Sequence, residues 1–155
     1  MFEKINQFGY KIIGCSGNFN CSSNPKLTTL VGAPKTVTGN FDCSENLKLT
    51  TLKGAPEKVG DDFDCHNNPK LTTLEGAPEK VGGHFYCFNN KKLKTLEGAP
   101  KTVTGDFDCS SNPKLTTLEG APKTVGSYFS CSNCGKQFTK KEVRAVCEVG
   151  EDLFV

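Results

Sequence analysis

The chain is 155 residues long, carries a net charge of +2 and contains nine cysteines and no tryptophan. So small a net charge excludes a global electrostatic field for nucleic acid, and no run approaches the ~18–20 apolar residues of a membrane span. The length suffices for one domain whose core needs no disulfide staples.

Residues 1–14 carry no secretory leader, because no basic region precedes a continuous apolar run. Ile5 and Phe8 lie one period before Leu27 and Leu30 of the repeat that follows, and Cys15 lies one period before Val37. Residues 1–14 therefore read as a degenerate half-repeat that caps the N-terminal end.

Residues 15–131 repeat with a period of 22 and no insertion or deletion. Phe recurs at Phe19, Phe41, Phe63, Phe85, Phe107 and Phe129, and Cys two residues later, from Cys21 to Cys131. Two Leu columns, a Gly-Ala-Pro and a Val column complete the unit, as in Leu71, Leu74, Gly76-Ala77-Pro78 and Val81. So few apolar side chains cannot offset the ordering of a unit on its own, so the units must stack. Val, Phe and Cys share one parity, which places them on the inward face of a strand. The residue between Val and Phe is almost always small, as at Gly39, Gly83 and Gly105. The Leu-Thr-Thr-Leu segment suits a short strand or a single helical turn, and Gly-Ala-Pro turns a corner. An Asn recurs three residues after Cys at Asn24, Asn46, Asn68, Asn90 and Asn112. A column this regular points to a ladder of side chains bonding buried backbone groups of their own and adjacent coils.

The run Phe-x-Cys-x-x-Asn followed by Leu-x-x-Leu resembles the signature of leucine-rich repeats. Its wording, as in Leu-Thr-Thr-Leu-Glu-Gly-Ala-Pro at residues 71–78, is similar to that of short repeats in small proteins encoded by bacteriophages and some bacteria. The resemblance covers residues 15–131. It implies a mainly β, right-handed, leucine-rich-repeat-like solenoid with one parallel sheet of about six strands. Such repeats are binding scaffolds for many partners, so the resemblance is specific for fold and not for function.

Residues 132–155 break the period and read as a C-terminal cap. Thr139 and Glu142 fit a capping box, and Phe138 with Val143 fits a hydrophobic staple. A short amphipathic helix presenting Val143, Val146 and Cys147 closes the last coil, and Leu153-Phe154-Val155 adds a final edge strand. The same region looks like the start of a zinc finger, since Cys131, Cys134 and Cys147 stand at ligand spacing. A tetrahedral site needs a fourth ligand, and no Cys or His follows at the required distance, so no metal and no cofactor is expected. Six of the nine cysteines form one inward column, which argues for reduced thiols and a cytoplasmic setting rather than a secreted scaffold.

Residues of outward parity form columns across the sheet, with neighbours about 4.8 Å apart. One reads Asn18, Asn40, Asp62, His84, Asp106, Tyr128; the next Asn20, Asp42, Asp64, Tyr86, Asp108, Ser130; the third Ser22, Ser44, His66, Phe88, Ser110, Ser132. One copy is thus aromatic where the others are polar. His66, His84, Tyr86 and Phe88 are expected to form a patch rimmed by Asp42, Asp62, Asp64, Asp106 and Asp108, with Tyr128 on the same face. Exposed aromatics with a polar rim match the anatomy of a protein-binding hot spot. The alternative is that these aromatics merely cover an edge or have drifted.

No catalytic residues are expected, since a flat face lacks a pocket and no nucleophile stands evidently beside a histidine. Adjacent threonines such as Thr50 and Thr51 point in different directions, which argues against a flat threonine ladder. Lysines spread over the turns, such as Lys26, Lys70 and Lys114, read as solubilising rather than as a nucleic-acid footprint. The reading is a single solenoid domain over residues 1–155, a monomer or weak dimer, that binds another protein through its strand face. The resemblance to phage proteins implies a modulator or inhibitor of a host protein, with a virion or host-attachment component as the alternative.

Overall fold

The computed structural model describes residues 14–155. The N-terminal cap assigned to residues 1–14 therefore lies, apart from Gly14, outside the described residues. Each 22-residue unit forms one coil of a parallel β-solenoid of about six turns. A coil runs from a Val strand (Thr36–Val37) to a Phe strand (Phe41–Asp42), then through Leu-x-x-Leu to the Gly-Ala-Pro corner and on to the next Val strand, Lys58–Val59.

Two parallel sheets result, not one. Among the described residues each has seven strands, stacked in chain order. The register is one coil per strand: Phe41 faces Phe63, and Val37 faces Val59. The final Phe-sheet strand is Leu153–Phe154, which pairs with Phe129–Ser130 as an edge strand. The single-strand reading of Val-x-x-x-Phe-x-Cys fails at the small residues between Val and Phe. The chain bends there, and neighbouring coils approach closely. A Cβ added at Gly39 would stand 2.3 Å from Asn18 Oδ1 and 2.9 Å from the Gly17 carbonyl carbon. Glycine at this position therefore marks a crowded corner that divides the sheets. Val and Phe face inward as expected, but from two different walls.

Inside, like residues stack on like. Phe41, Phe63, Phe85, Phe107 and Phe129 are buried, as are the Leu columns and the Cys column. Successive Phe rings from Phe19 to Phe129 lie 5.1–5.7 Å apart. Burial pushes the Cys21 and Cys131 thiols up to about 12, and Cys43, Cys65, Cys87 and Cys109 well above the ordinary value.

The Asn column is a ladder, as its regularity implies. Asn68 Nδ2 donates to the carbonyl of Cys65 in its own coil at 2.8 Å and to that of Cys43 in the preceding coil at 3.1 Å. Its Oδ1 accepts from Asn46 N–H at 2.8 Å. Asn46, Asn90 and Asn112 repeat the arrangement, all fully buried. The residue before each ladder Asn takes the left-handed conformation, with φ between 51° and 56° at Ser23, Glu45, Asn67, Asn89 and Ser111. That turn aims the amide into the coil. The second Thr of Leu-Thr-Thr-Leu has a separate use: its hydroxyl accepts from the N–H two residues on, as in Lys53 N–H to Thr51 at 3.2 Å. This bond shapes the approach to the Gly-Ala-Pro corner.

At the C-terminal end the helix α1 (Lys140–Arg144) starts at Thr139 with a complete capping box. Phe138 and Val143 are both buried beneath it. Cys147 is buried as well, whereas Val146 lies past the helix and is exposed. Lys140 bonds Asp152 at 2.9 Å, fastening the helix to the approach to the last strand.

Removing one rung tests the ladder. Asn90→Ala leaves Asn68 N–H without its acceptor and removes one of the two amide donors from each of the Cys65 and Cys87 carbonyls, which keep their bonds to Asn68 and Asn112. One buried unpaired N–H costs about 1–3 kcal/mol and each lost hydrogen bond about 0.5–1.5 kcal/mol, so urea denaturation is expected to show a loss of roughly 2–5 kcal/mol. A second test uses the cap. Bonds from Lys136 first, and then from Thr139, hold the Glu142 carboxyl down to about 2, against an ordinary 4.5. A depressed folded-state value stabilises above the ordinary value and is lost as pH falls towards the folded one. The stability difference between the wild type and Glu142→Gln is therefore expected to be full above pH 4.5 and to shrink as pH approaches 2.

Candidate functional site

The outward side chains of the Phe sheet fall into the three expected columns, and the first two have backbone duties that their variability hides. In the first, each side-chain acceptor takes the N–H of its counterpart one coil later. Asn18 Oδ1 accepts from Asn40 at 2.9 Å, Asn40 Oδ1 from Asp62 at 3.0 Å, and Asp62 Oδ1 from His84 at 2.8 Å. His84 Nδ1 then accepts from Asp106 N–H at 2.9 Å, and Asp106 Oδ1 from Tyr128 N–H at 3.2 Å. This is a second ladder, on the corner between the sheets. The column admits Asn, Asp and His because all three can accept a hydrogen bond. That common property is visible in the sequence.

In the second column, Asp or Asn closes an Asx turn onto the third. Asp42 Oδ1 takes the Ser44 N–H at 2.9 Å and its hydroxyl at 2.7 Å. Asp64 Oδ1 takes the His66 N–H at 3.0 Å and pairs with its Nδ1 at 2.7 Å, and Asp108 takes the Ser110 N–H at 2.8 Å. Tyr86 has no group that can do this. The aromatic copy has given up a local bond that Asn20, Asp42, Asp64 and Asp108 all make.

The four patch residues are brought together. His66 stacks on Phe88 with centroids 4.5 Å apart, and His84 stacks on Tyr86 at 5.6 Å. Tyr86 meets Phe88 edge-on at 6.3 Å, joining the two pairs. All four are half-buried, each partly covered by the others. Burial raises the Tyr86 hydroxyl, and Asp62, Asp106, Asp64 and Asp108 raise it further. Those four carboxylates are the rim expected around the patch. Asp42 is not part of it: it lies two coils from Tyr86, with its carboxylate bonded to Ser44 and Asn20. Tyr128 also stands apart, packed against Phe154 at 5.6 Å.

The histidines hold opposite tautomers when neutral. His84 accepts at Nδ1 and so carries its proton on Nε2. His66 donates from Nδ1 to Asp64, with Glu45 3.9 Å from its Nε2. Ser44, one coil before His66 in the same column, gives its hydroxyl hydrogen to Asp42 rather than to the imidazole.

Two features of this face escaped the sequence reading. Phe154, 53% exposed, continues the Tyr86 column at the C-terminal edge, because Ser130 pairs with Phe154. The spacing there lengthens from 22 to 24 residues, which hid the alignment. Beside the patch runs a shallow groove of about 440 Å³ along the corner that follows the third column. Asn67 and Asn89, the residues directly after His66 and Phe88, line it with Pro69 and Leu47. Leu47 is 59% exposed and stands where neighbouring coils have Pro25 and Pro69.

Cys131 lies in the buried Cys column, Cys134 on the Asn rung and Cys147 under the cap. Among the described residues no three His, Cys, Asp or Glu side chains converge as a metal-binding group, and no helix is long and apolar enough to cross a membrane. Comparison with protein-family models, curated proteins and solved structures returns no match.

The two ladders separate structural from dispensable side chains. His84→Asn keeps an acceptor and is expected to leave stability unchanged, whereas His84→Leu loses a bond to Asp106 N–H and is expected to cost about 1–2 kcal/mol. The pair Tyr86→Asp and Phe88→Ser restores the Asx turn of the next coil, so thermal denaturation should show stability held within about 1 kcal/mol or slightly raised.

Proposed function

We propose that this chain is a non-enzymatic protein-binding scaffold whose partner docks on the strand face centred on Tyr86 and Phe88. One observation carries the reading. At Tyr86 the coil forgoes an Asx turn that every neighbouring Asp makes, and gains an aromatic that no buried part of the fold requires. Departures from a local rule without a structural return concentrate at functional sites. The cluster is small, held by mutual stacking and rimmed by four carboxylates. Rigid aromatics lose little side-chain entropy on binding, and a polar rim screens their contacts from water. The acidic rim suits a partner that presents basic side chains around an apolar centre. In the phage setting that the repeat resembles, the partner is a host protein in the cytoplasm and the chain modulates it.

The test is affinity purification from the natural host, followed by binding measurements on the captured partner. Tyr86→Asp with Phe88→Ser is expected to weaken binding roughly thirty-fold or more, the effect of losing about 2–4 kcal/mol of aromatic anchor. Unchanged binding by the folded double variant places the interface elsewhere and ends the proposal.

A further inference from the structure

Seven of the nine cysteines are buried; Cys15 and Cys134 are half-buried. Cys134 alone stands on a rung of the Asn ladder. Its Sγ lies 3.3 Å from the Cys109 carbonyl, the counterpart of the bond from Asn112 Nδ2 to Cys87 at 3.0 Å. A thiol has one weakly donating hydrogen where the amide has two, so it cannot serve both carbonyls that an Asn would. The rung is therefore poorly filled as structure. Its chemistry is different. The Cys109 thiol directs its hydrogen at the Ser130 carbonyl, 3.3 Å away, and its side chain beside Cys134 draws Cys134 below the ordinary thiol value although burial opposes it. In the six-membered Cys column every thiol is driven the other way by burial. Cys134 also has a way out. A cavity of about 290 Å³ lies at this corner, lined by Cys131, Ser132, Asn133, Cys134, Gln137 and Val155.

We propose that Cys134 is a modification site: a nucleophilic thiol facing the C-terminal cavity, which a small hydroperoxide oxidises and which Cys109 then resolves as a disulfide. In the first step the Cys134 thiolate attacks the peroxide. A sulfur–oxygen bond forms, the oxygen–oxygen bond breaks, and the leaving oxygen takes a proton and departs as water or alcohol. The sulfur is oxidised by two electrons to the sulfenic acid, and the peroxide is reduced by two. In the second step the Cys109 sulfur attacks the sulfenic sulfur. The sulfur–sulfur bond forms, the sulfur–oxygen bond breaks, and the hydroxide leaves as water with the Cys109 proton. Two thiols and one hydroperoxide become one disulfide, one water and one alcohol or second water. The disulfide joins the last two coils, and Cys134 is the initiating sulfur because it has both thiolate character and access.

The test treats the native protein with hydrogen peroxide and maps the cysteine peptides by mass spectrometry. The wild type is expected to lose the mass of two hydrogen atoms and to yield a peptide joining Cys109 and Cys134. Cys134→Asn installs the residue found at Asn112, so it is expected to fold and to lose thiol about tenfold more slowly. Cys109→Ala is expected to stop at the sulfenic acid, trapped on Cys134 by a cyclic 1,3-diketone. A first product that omits Cys134, a cross-link from Cys134 to another cysteine, or equal oxidation rates in the wild type and Cys134→Asn overturns the proposal. Should Cys134→Asn fail to fold, peptide mapping of the wild type decides the matter alone.

Discussion

From Asn46 to Asn112 each coil is held to the one before it by a buried amide, and most of the architecture follows from that bond. A solenoid must turn its chain several times per coil, and every turn brings backbone carbonyls into the interior without strand partners. At the corner after the Phe strand these are the Cys carbonyls, and only a short side chain with two hydrogens can reach one in its own coil and one in the coil before. Asn fits, provided the residue before it adopts a left-handed backbone. Once that geometry repeats, the Phe rings must stack, the thiols must line up, and each Leu must lie over its predecessor. Among the described residues no buried side-chain nitrogen or oxygen lacks a partner. In so thin a molecule, satisfying polar groups is as demanding as burying apolar ones.

The 22-residue period, the inward columns, the Asn ladder, the capping box and the final edge strand could all be read from residue identity and spacing. Periodicity reports which residues are equivalent, and equivalence was enough for these. It does not report where a strand bends. Val37, Phe41 and Cys43 keep inward parity whether or not the chain turns at Gly39, so parity alone could not tell one wall from two. The clue lay in the residue types: glycine where a Cβ would strike the coil below, and an acceptor at Asn40, Asp62, His84 and Asp106 where the strand ladder lapses.

The strand face shows the same division. That His66, His84, Tyr86 and Phe88 would meet followed from register, and they do. That their polar counterparts are working parts did not, because a solvated Asp and an Asp that closes a turn look alike in a column of letters. Variation between copies is not freedom from structure. In the first column it is freedom among acceptors; in the second, only Tyr86 and Ser130 depart from Asp or Asn. This makes Tyr86 a better marker than exposure alone would have, since it is half-covered by its neighbours and would not stand out by accessible area.

The uniform junction between coils has a consequence for how such a molecule can change. The upper and lower edges of every coil offer the same donors, acceptors and rings, so deleting or duplicating 22 residues recreates a junction already present elsewhere in the chain. An in-frame gain or loss of one unit would yield a folded chain without compensating substitutions. Each event would shift the aromatic coil against the acidic ones by about 4.8 Å. The strand face then behaves as movable type, in which letters are reordered along a fixed line while the metal bed beneath them is left untouched.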